Sequence, residues 1–431
     1  MKRIFFNHGL LVINLVFLMI VTACGSSSSK NDQGSSDVSA KIARDWMTLI
    51  YDLVRQEGFS PPVASRTYAY SSIALYESVV HSSKDMISLE GQLNGLSNLP
   101  KPNSLQSYDW SLVVSVTVAE VARHLFAGRD QALHRINALE NESVSPHLVS
   151  NRNNPSFAYA RSLAGALIRW ADADGFLARN NNQFTSPVCD SCWVPTGPVL
   201  NPLEPGWGGL RTFVVSVNEC SPKPPVEYSE SPSSNFFSEA LAVYNTSKTL
   251  TEDERQIARF WADNPGQTGT PPGHWINIAS IMVDVDNVSI EKAVKLYAKV
   301  GIAVGDSFIS CWHTKYKYFL LRPHTYIRKI IDSEWTSLIG TPPFPEYTSG
   351  HSTVSGASAE VISKEFGNRS FTDTTNQSLG FTPRRFSSFR DAASEAANSR
   401  LFGGIHYPMG NEEGLSQGKC IGQNINKRLK M

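Results

Sequence analysis

Apolar residues recur at helical spacing along most of the chain. Ile42, Trp46, Leu49, Ile50 and Leu53 fall on one face, the stripe that a surface helix buries. Ser60-Pro61 pairs a capping hydroxyl with a proline in the first turn and opens a second helix to about residue 81, because the first turn has no use for the N–H that proline lacks. The same periodicity predicts helices over 107–126, 129–141 and 155–175, then over 236–247, 251–263 and 274–284. The longest pattern, 289–321, stops before Pro323. Three more helices are expected over 351–366, 389–402 and 411–427, the first two closing on Gly367 and Gly403-Gly404, the residues that tolerate the backbone of a helix C-terminus. No stretch alternates as a strand does. The expectation is an all-α fold of two antiparallel helical clusters with long connecting loops.

Two kinds of segment interrupt the pattern. Residues 178–235 are rich in Pro, Gly, Asn and Ser without a period, and a connection that long is commonly functional. It divides an N-terminal helical region, 40–177, from a C-terminal one, 236–431. At the start, Lys2 and Arg3 precede an apolar run from Leu10 to Val21. A bilayer span needs about 20 residues, so this shorter run reads as a secretory leader. It ends in Val21-Thr22-Ala23-Cys24-Gly25 and a serine run, which resembles a bacterial lipobox. That resemblance implies a signal peptide over 1–23, a lipidated Cys24 and a flexible tether over 24–39. It implies a lipid-anchored protein of the bacterial cell envelope, with Gly25 favouring the outer membrane.

Composition narrows the classes. The 431 residues are 41% hydrophobic and 18% charged, as in soluble globular proteins and unlike disordered or polytopic membrane chains. Lys+Arg 39 equals Asp+Glu 39, so the basic excess of a nucleic-acid binder is missing. Cys189 and Cys192 form a C-x-x-C without a second such pair, which argues against a four-thiolate zinc site. In an oxidising compartment they are expected to pair with each other, or one of them with Cys220. Cys311 and Cys420 lie in apolar helical stretches and read as buried thiols.

Three clusters in the last third carry chemistry. Lys315 and Arg322 are seven residues apart, two helical turns, and so are expected on one face, where two cations want an anion between them. Ser349-Gly350-His351 stands where a loop enters a helix. The helix N-terminus offers free N–H groups and a partial positive charge, Ser349 adds a hydroxyl, and Gly350 lets an anion approach the backbone. Ser399-Arg400 ends a helix, and Gly403-Gly404 folds the chain back so that His406 faces the same space. Taken singly, these are a solvated basic face, a helix cap and a charge at a helix end.

Together, K-x6-R-P, S-G-H and S-R-x3-G-x-H resemble the superfamily of vanadium-dependent haloperoxidases and type 2 phosphatidic acid phosphatases. Phe260-Trp261-Ala262-Asp263 and Gly269-Thr270-Pro271-Pro272 extend the resemblance upstream. It implies a haloperoxidase-like helical bundle with a pocket shaped for vanadate, or for phosphate in the same place. Lys315, Arg322 and Arg400 would hold the oxygens, with Ser349 and the Gly350 N–H completing the cradle. His351 would act as acid/base with Lys315 beside it, and His406 would ligate vanadium or, in a phosphatase, attack phosphorus. Trp312 and Phe344 match aromatic positions near the halide and peroxide pocket of chloroperoxidases. His274 reads first as a packing residue, with lining the entrance as the alternative, and Asp263 could pair with Arg400. The implied reaction is oxidation of halide by hydrogen peroxide. The alternatives are hydrolysis of a small phosphate ester and an inactive anion-binding lipoprotein. Two positions depart from the pattern: Thr348 replaces a proline, and Gly410 replaces the Asp that usually orients the imidazole four residues after the histidine. The second departure takes that partner from His406; neighbouring Asn411 could substitute, though it also reads as a helix cap.

Overall fold

The computed structural model describes residues 38–143, 154–179 and 184–431. The expected leader and Cys24 lie outside the described residues. Thirteen α-helices are found among them: α1 (Ala40–Gln56), α2 (Pro61–Val79), α3 (Trp110–Leu125), α4 (Asp130–Ser143), α5 (Pro155–Asp172), α6 (Asn235–Thr249), α7 (Glu252–Phe260), α8 (Thr270–Val285), α9 (Ile290–Tyr318), α10 (Pro323–Ile330), α11 (Gly350–Phe366), α12 (Phe389–Phe402) and α13 (Pro408–Arg428). The fold is all-α in class. None of the described helices is long and apolar enough to cross a membrane.

Local chemistry sets the boundaries. The Ser60 side chain accepts the Val63 N–H ahead of Pro61 and Pro62. Thr251 and Glu254 form a reciprocal capping box at α7. Each such cap contributes about 1 kcal/mol by satisfying N–H groups that the helix leaves free. In α1 the buried residues include Trp46, Ile50 and Leu53, the predicted stripe. α9 is different, being buried on nearly every face from Ala293 to Trp312. It packs against α2 on one side and α11 on the other, and α11 packs in turn against α12 and α13. The two helical clusters therefore share α9 as their common wall.

Four expectations need correction. The helix expected over 289–321 ends at Tyr318, where Phe319 takes a left-handed conformation (φ 47°) and its N–H bonds back to the Lys315 carbonyl. Arg322 is the residue before α10, so Lys315 and Arg322 do not share a helix face. Cys420 is not a free thiol: it bonds to Cys220, 200 residues away in sequence. Cys189–Cys192 is a disulfide as expected, and Cys311 is a buried free thiol. A short antiparallel pair, β1 (Phe371–Asp373) and β2 (Arg384–Phe386), was not expected. Three residues are too few to show an alternation. Finally, α8 starts at Thr270 and α13 at Pro408, earlier than predicted, because in each a proline in the first turn opens the helix.

The long connection is firmly held. The buried Asp306 of α9 accepts the backbone N–H groups of Phe213, Val214 and Val215. Further on, the Cys220–Cys420 bond ties the segment to α13. Nearer its start, Ser191 accepts the Leu321 N–H and Trp193 donates to the Phe319 carbonyl. The strap thus grips the end of α9 and the three residues leading to Arg322. The Leu203 carbonyl accepts both the Trp312 indole (3.1 Å) and the Tyr316 hydroxyl (2.6 Å), which fixes one wall of the site described next.

Candidate active site

The three motifs meet at one place although they come from four elements. Lys315, Arg322, Ser349, Gly350, Arg400 and His406 are all buried. Lys315 reaches in from the last turn of α9 and Arg322 from the extended link to α10. What brings them together is the backbone of 344–346. Lys315 Nζ donates to the carbonyls of Pro345 (2.9 Å) and Glu346 (2.8 Å), while Arg322 Nε donates to that of Phe344 (3.0 Å). An ammonium has three donors, so one remains for an anion. Arg400 stands at the end of α12, oriented by Ser399 Oγ (2.9 Å) and the Ala258 carbonyl (3.0 Å).

Two aromatic rings lie beside the cations. Trp312 and Phe344 lie 5.0 Å apart, ring centre to ring centre. The Phe344 ring sits 5.2 Å from Lys315 Nζ and 5.0 Å from the Arg322 guanidinium, within range of cation–π attraction. The Ser349 side chain caps α11 through the Ser352 N–H (3.4 Å). His351 follows in the first turn, and its Nε2 is buried without a hydrogen-bond partner.

Charge and burial set the protonation states. Three cations in a buried site resist their own ionisation: burial lowers Lys315 to about 8 and Arg322 and Arg400 each to about 10. Such a site is short of negative charge, which an oxyanion restores. His406 is driven well below its ordinary range by burial and then by Arg322, Lys315 and Arg400. His351 is lowered by burial and then by Arg400. Both imidazoles are therefore neutral near pH 7.

One functional residue escaped the sequence analysis. Glu346, fully buried, accepts from His406 Nδ1 (2.7 Å) and from the Tyr407 N–H (3.1 Å) through Oε1. The Nδ1 proton leaves Nε2 with its lone pair, turned toward Arg322 Nη1 at 3.1 Å. The available hint was that Glu346 is the one acidic residue in the segment 341–349, combined with the carboxylate missing at 410.

Asp263 and His274 bond each other. His274 does not line an entrance: it is buried, with Nδ1 2.9 Å from Asp263 and Nε2 2.7 Å from Asp373. Asp263 thus bonds His274, and among the described contacts Arg400 bonds Ser399 and Ala258 instead. Asn411 lies inside α13 and faces Ser352 Oγ (3.4 Å), so it neither caps the helix nor serves His406.

Comparison with known proteins identifies the fold. The crystal structure of a bacterial vanadium-dependent iodoperoxidase superposes with a TM-score of 0.84 at 36% identity, covering 92% of this chain and 97% of that one. The chain belongs to the vanadium-dependent haloperoxidase superfamily. Within that superfamily, residues 295–431 match the family model of the VCPO second helical-bundle domain, the part that holds Lys315 through His406. A bacterial vanadium-dependent chloroperoxidase in its holo form shares the fold, with a TM-score of 0.66 at 14% identity over 86% of this chain and 93% of its own. Vanadium chloroperoxidase of Curvularia inaequalis is 27% identical over 135 residues, 26% of this chain and 22% of that protein. The chain therefore matches less than a quarter of that relative's length.

Proposed function

We propose that the protein is a vanadate-dependent haloperoxidase that oxidises halide with hydrogen peroxide. The observation that carries this reading is a neutral His406 whose Nε2 lone pair is turned to Arg322, with the buried Lys315 and Arg400 charges nearby. That donor set fits vanadate: one imidazole nitrogen for the metal, and Lys315, Arg322, Arg400, the Ser349 hydroxyl and the Gly350 N–H for its oxygens. When bound, vanadate supplies the activation of peroxide toward two-electron transfer. The overall reaction takes halide, hydrogen peroxide and a proton to hypohalous acid and water.

The chain's own residues do the rest. His351 Nε2, neutral and without a partner, takes the proton that incoming peroxide gives up and returns it to the leaving oxygen as water forms. Lys315, with one free donor, polarises the peroxide oxygen. Trp312 and Phe344 keep water away from the place where halide arrives. The iodoperoxidase relative makes iodide the first halide to test.

Gly410 no longer argues against phosphate-ester hydrolysis or for an inactive pocket, since Glu346 supplies the carboxylate. The aromatic wall and the family favour halide chemistry. The deciding experiment assays iodide oxidation and hydrolysis of a chromogenic phosphate ester by the same purified protein, with and without orthovanadate. Vanadate-dependent iodide oxidation is expected. Ester turnover by the untreated protein, abolished by vanadate, would overturn the reading. The lipobox resemblance extends the proposal to a lipid anchor at Cys24 in the bacterial envelope, which labelled palmitate incorporated by wild type but not by Cys24→Ser would support.

A further inference from the structure

We infer that Glu346 is the positioning residue for His406 and that Gly410 is the vacancy that admits it, so that the imidazole-orienting carboxylate has moved from the helix after His406 to the loop before S-G-H. This rests on the haloperoxidase reading, but its geometry stands alone.

Glu346 and a side chain at position 410 would occupy one space. A Cβ built on Gly410 would collide with the Glu346 carboxylate, coming within 3.0 Å of its carbon and meeting no other group so closely. Positions 346 and 410 thus present side chains to the same small volume beside His406 Nδ1, and only one can be filled. The Gly410 carbonyl is turned to the Ser349 N–H (2.9 Å), and among the described contacts it does not bond His406. Without Glu346, Nδ1 would have no acceptor among the contacts described, and the ring could carry its proton on Nε2, where it would block metal ligation. The loop origin has a further consequence. Lys315 is bonded to the carbonyls of Pro345 and Glu346, and Arg322 to that of Phe344. One short segment therefore orients the axial histidine through a side chain and two of the cations through its backbone.

The test uses the full-length protein with histidines labelled with nitrogen-15, the His406 resonances being assigned with His406→Asn. Wild type should show a neutral His406 protonated at Nδ1. Glu346→Ala should lose that tautomer preference, and orthovanadate affinity should fall by roughly 10–100-fold, the scale of removing a ligand's hydrogen-bond partner. Glu346→Ala/Gly410→Asp should restore both, whereas Gly410→Asp alone should bind more weakly than wild type because two carboxylates crowd one space. Glu346→Gln, nearly the same shape, guards against a folding defect and should fall between wild type and Glu346→Ala. An unchanged tautomer in Glu346→Ala and Glu346→Gln, or a double variant no better than Glu346→Ala, would overturn the inference. Wild type that fails to bind orthovanadate would sink the functional reading instead, while the tautomer would still report on Glu346.

Discussion

Two buried histidines of this protein meet carboxylates and end in opposite states. His274 lies between Asp263 and Asp373 and stacks on Trp261, ring centres 4.2 Å apart. Burial opposes its charge, yet the two carboxylates hold its pKa up at about 10. Asp373 is likewise disfavoured by burial but kept below its ordinary value by the His274 charge. His406 has one carboxyl group beside it, Glu346, which burial pushes up to about 7, and it is held neutral by burial and then by three cations. A carboxylate at hydrogen-bond distance does not by itself decide whether an imidazole is charged. The sum of the surrounding charges does. One centre is a buried ion pair that stays charged through the neutral range. The other turns its Nε2 lone pair to Arg322 (3.1 Å) within a positive surround suited to an oxyanion.

The strongest way to break this comparison is His406→Ala. It should abolish orthovanadate binding and halide oxidation together, measured by isothermal titration and by triiodide formation on protein shown to be folded by circular dichroism. His351→Ala should instead keep most of the binding and lose activity. If both variants bind equally well, the two roles have been wrongly divided.

Next in size is His274→Gln. It leaves two buried carboxylates without their cation, which costs about 3–5 kcal/mol and should show in denaturant unfolding. The pH dependence gives the sign. A histidine whose folded pKa is raised to about 10 stabilises the protein fully below its ordinary pKa of about 6.5, and that contribution declines as pH rises and is gone above about 10. Wild type should therefore lose stability across this window, and His274→Gln should show a flatter profile. Equal slopes would mean that His274 is not charged in the folded protein.

Arg400→Met sharpens the contrast from the other side. Losing one charge-assisted contact, worth about 1.5–3 kcal/mol, should weaken orthovanadate binding by roughly 10–150-fold. The alkaline loss of stability set by His274 should stay where it is. The smallest effect on binding is expected for Asp373→Asn, which leaves His274 with one carboxylate, as His406 has. Its alkaline loss of stability should begin at lower pH, with vanadate affinity little changed.

The sequence made the helices legible because their apolar stripes and caps are local. It made the cationic cluster legible because each motif sits at a helix end, where the chain can aim a side chain. It misplaced Arg322, since nothing at Phe319 announces a left-handed turn: the residue is neither glycine nor asparagine. It misjudged Cys420, whose helical surroundings look like those of a buried thiol and whose partner is 200 residues away. Glu346 was hidden for a deeper reason. A missing Asp at 410 reads as a loss along the chain, and only the folded molecule shows that the freed volume is filled from a loop 64 residues earlier.

The most direct test of the central claim is a titration of metal-stripped protein with orthovanadate, following iodide oxidation by hydrogen peroxide in wild type and His406→Ala. Activity in wild type should rise from near zero to saturation at one vanadate per chain, and His406→Ala should stay inactive throughout. Iodide oxidation that is independent of added vanadate, or equal in the two proteins, would contradict the account.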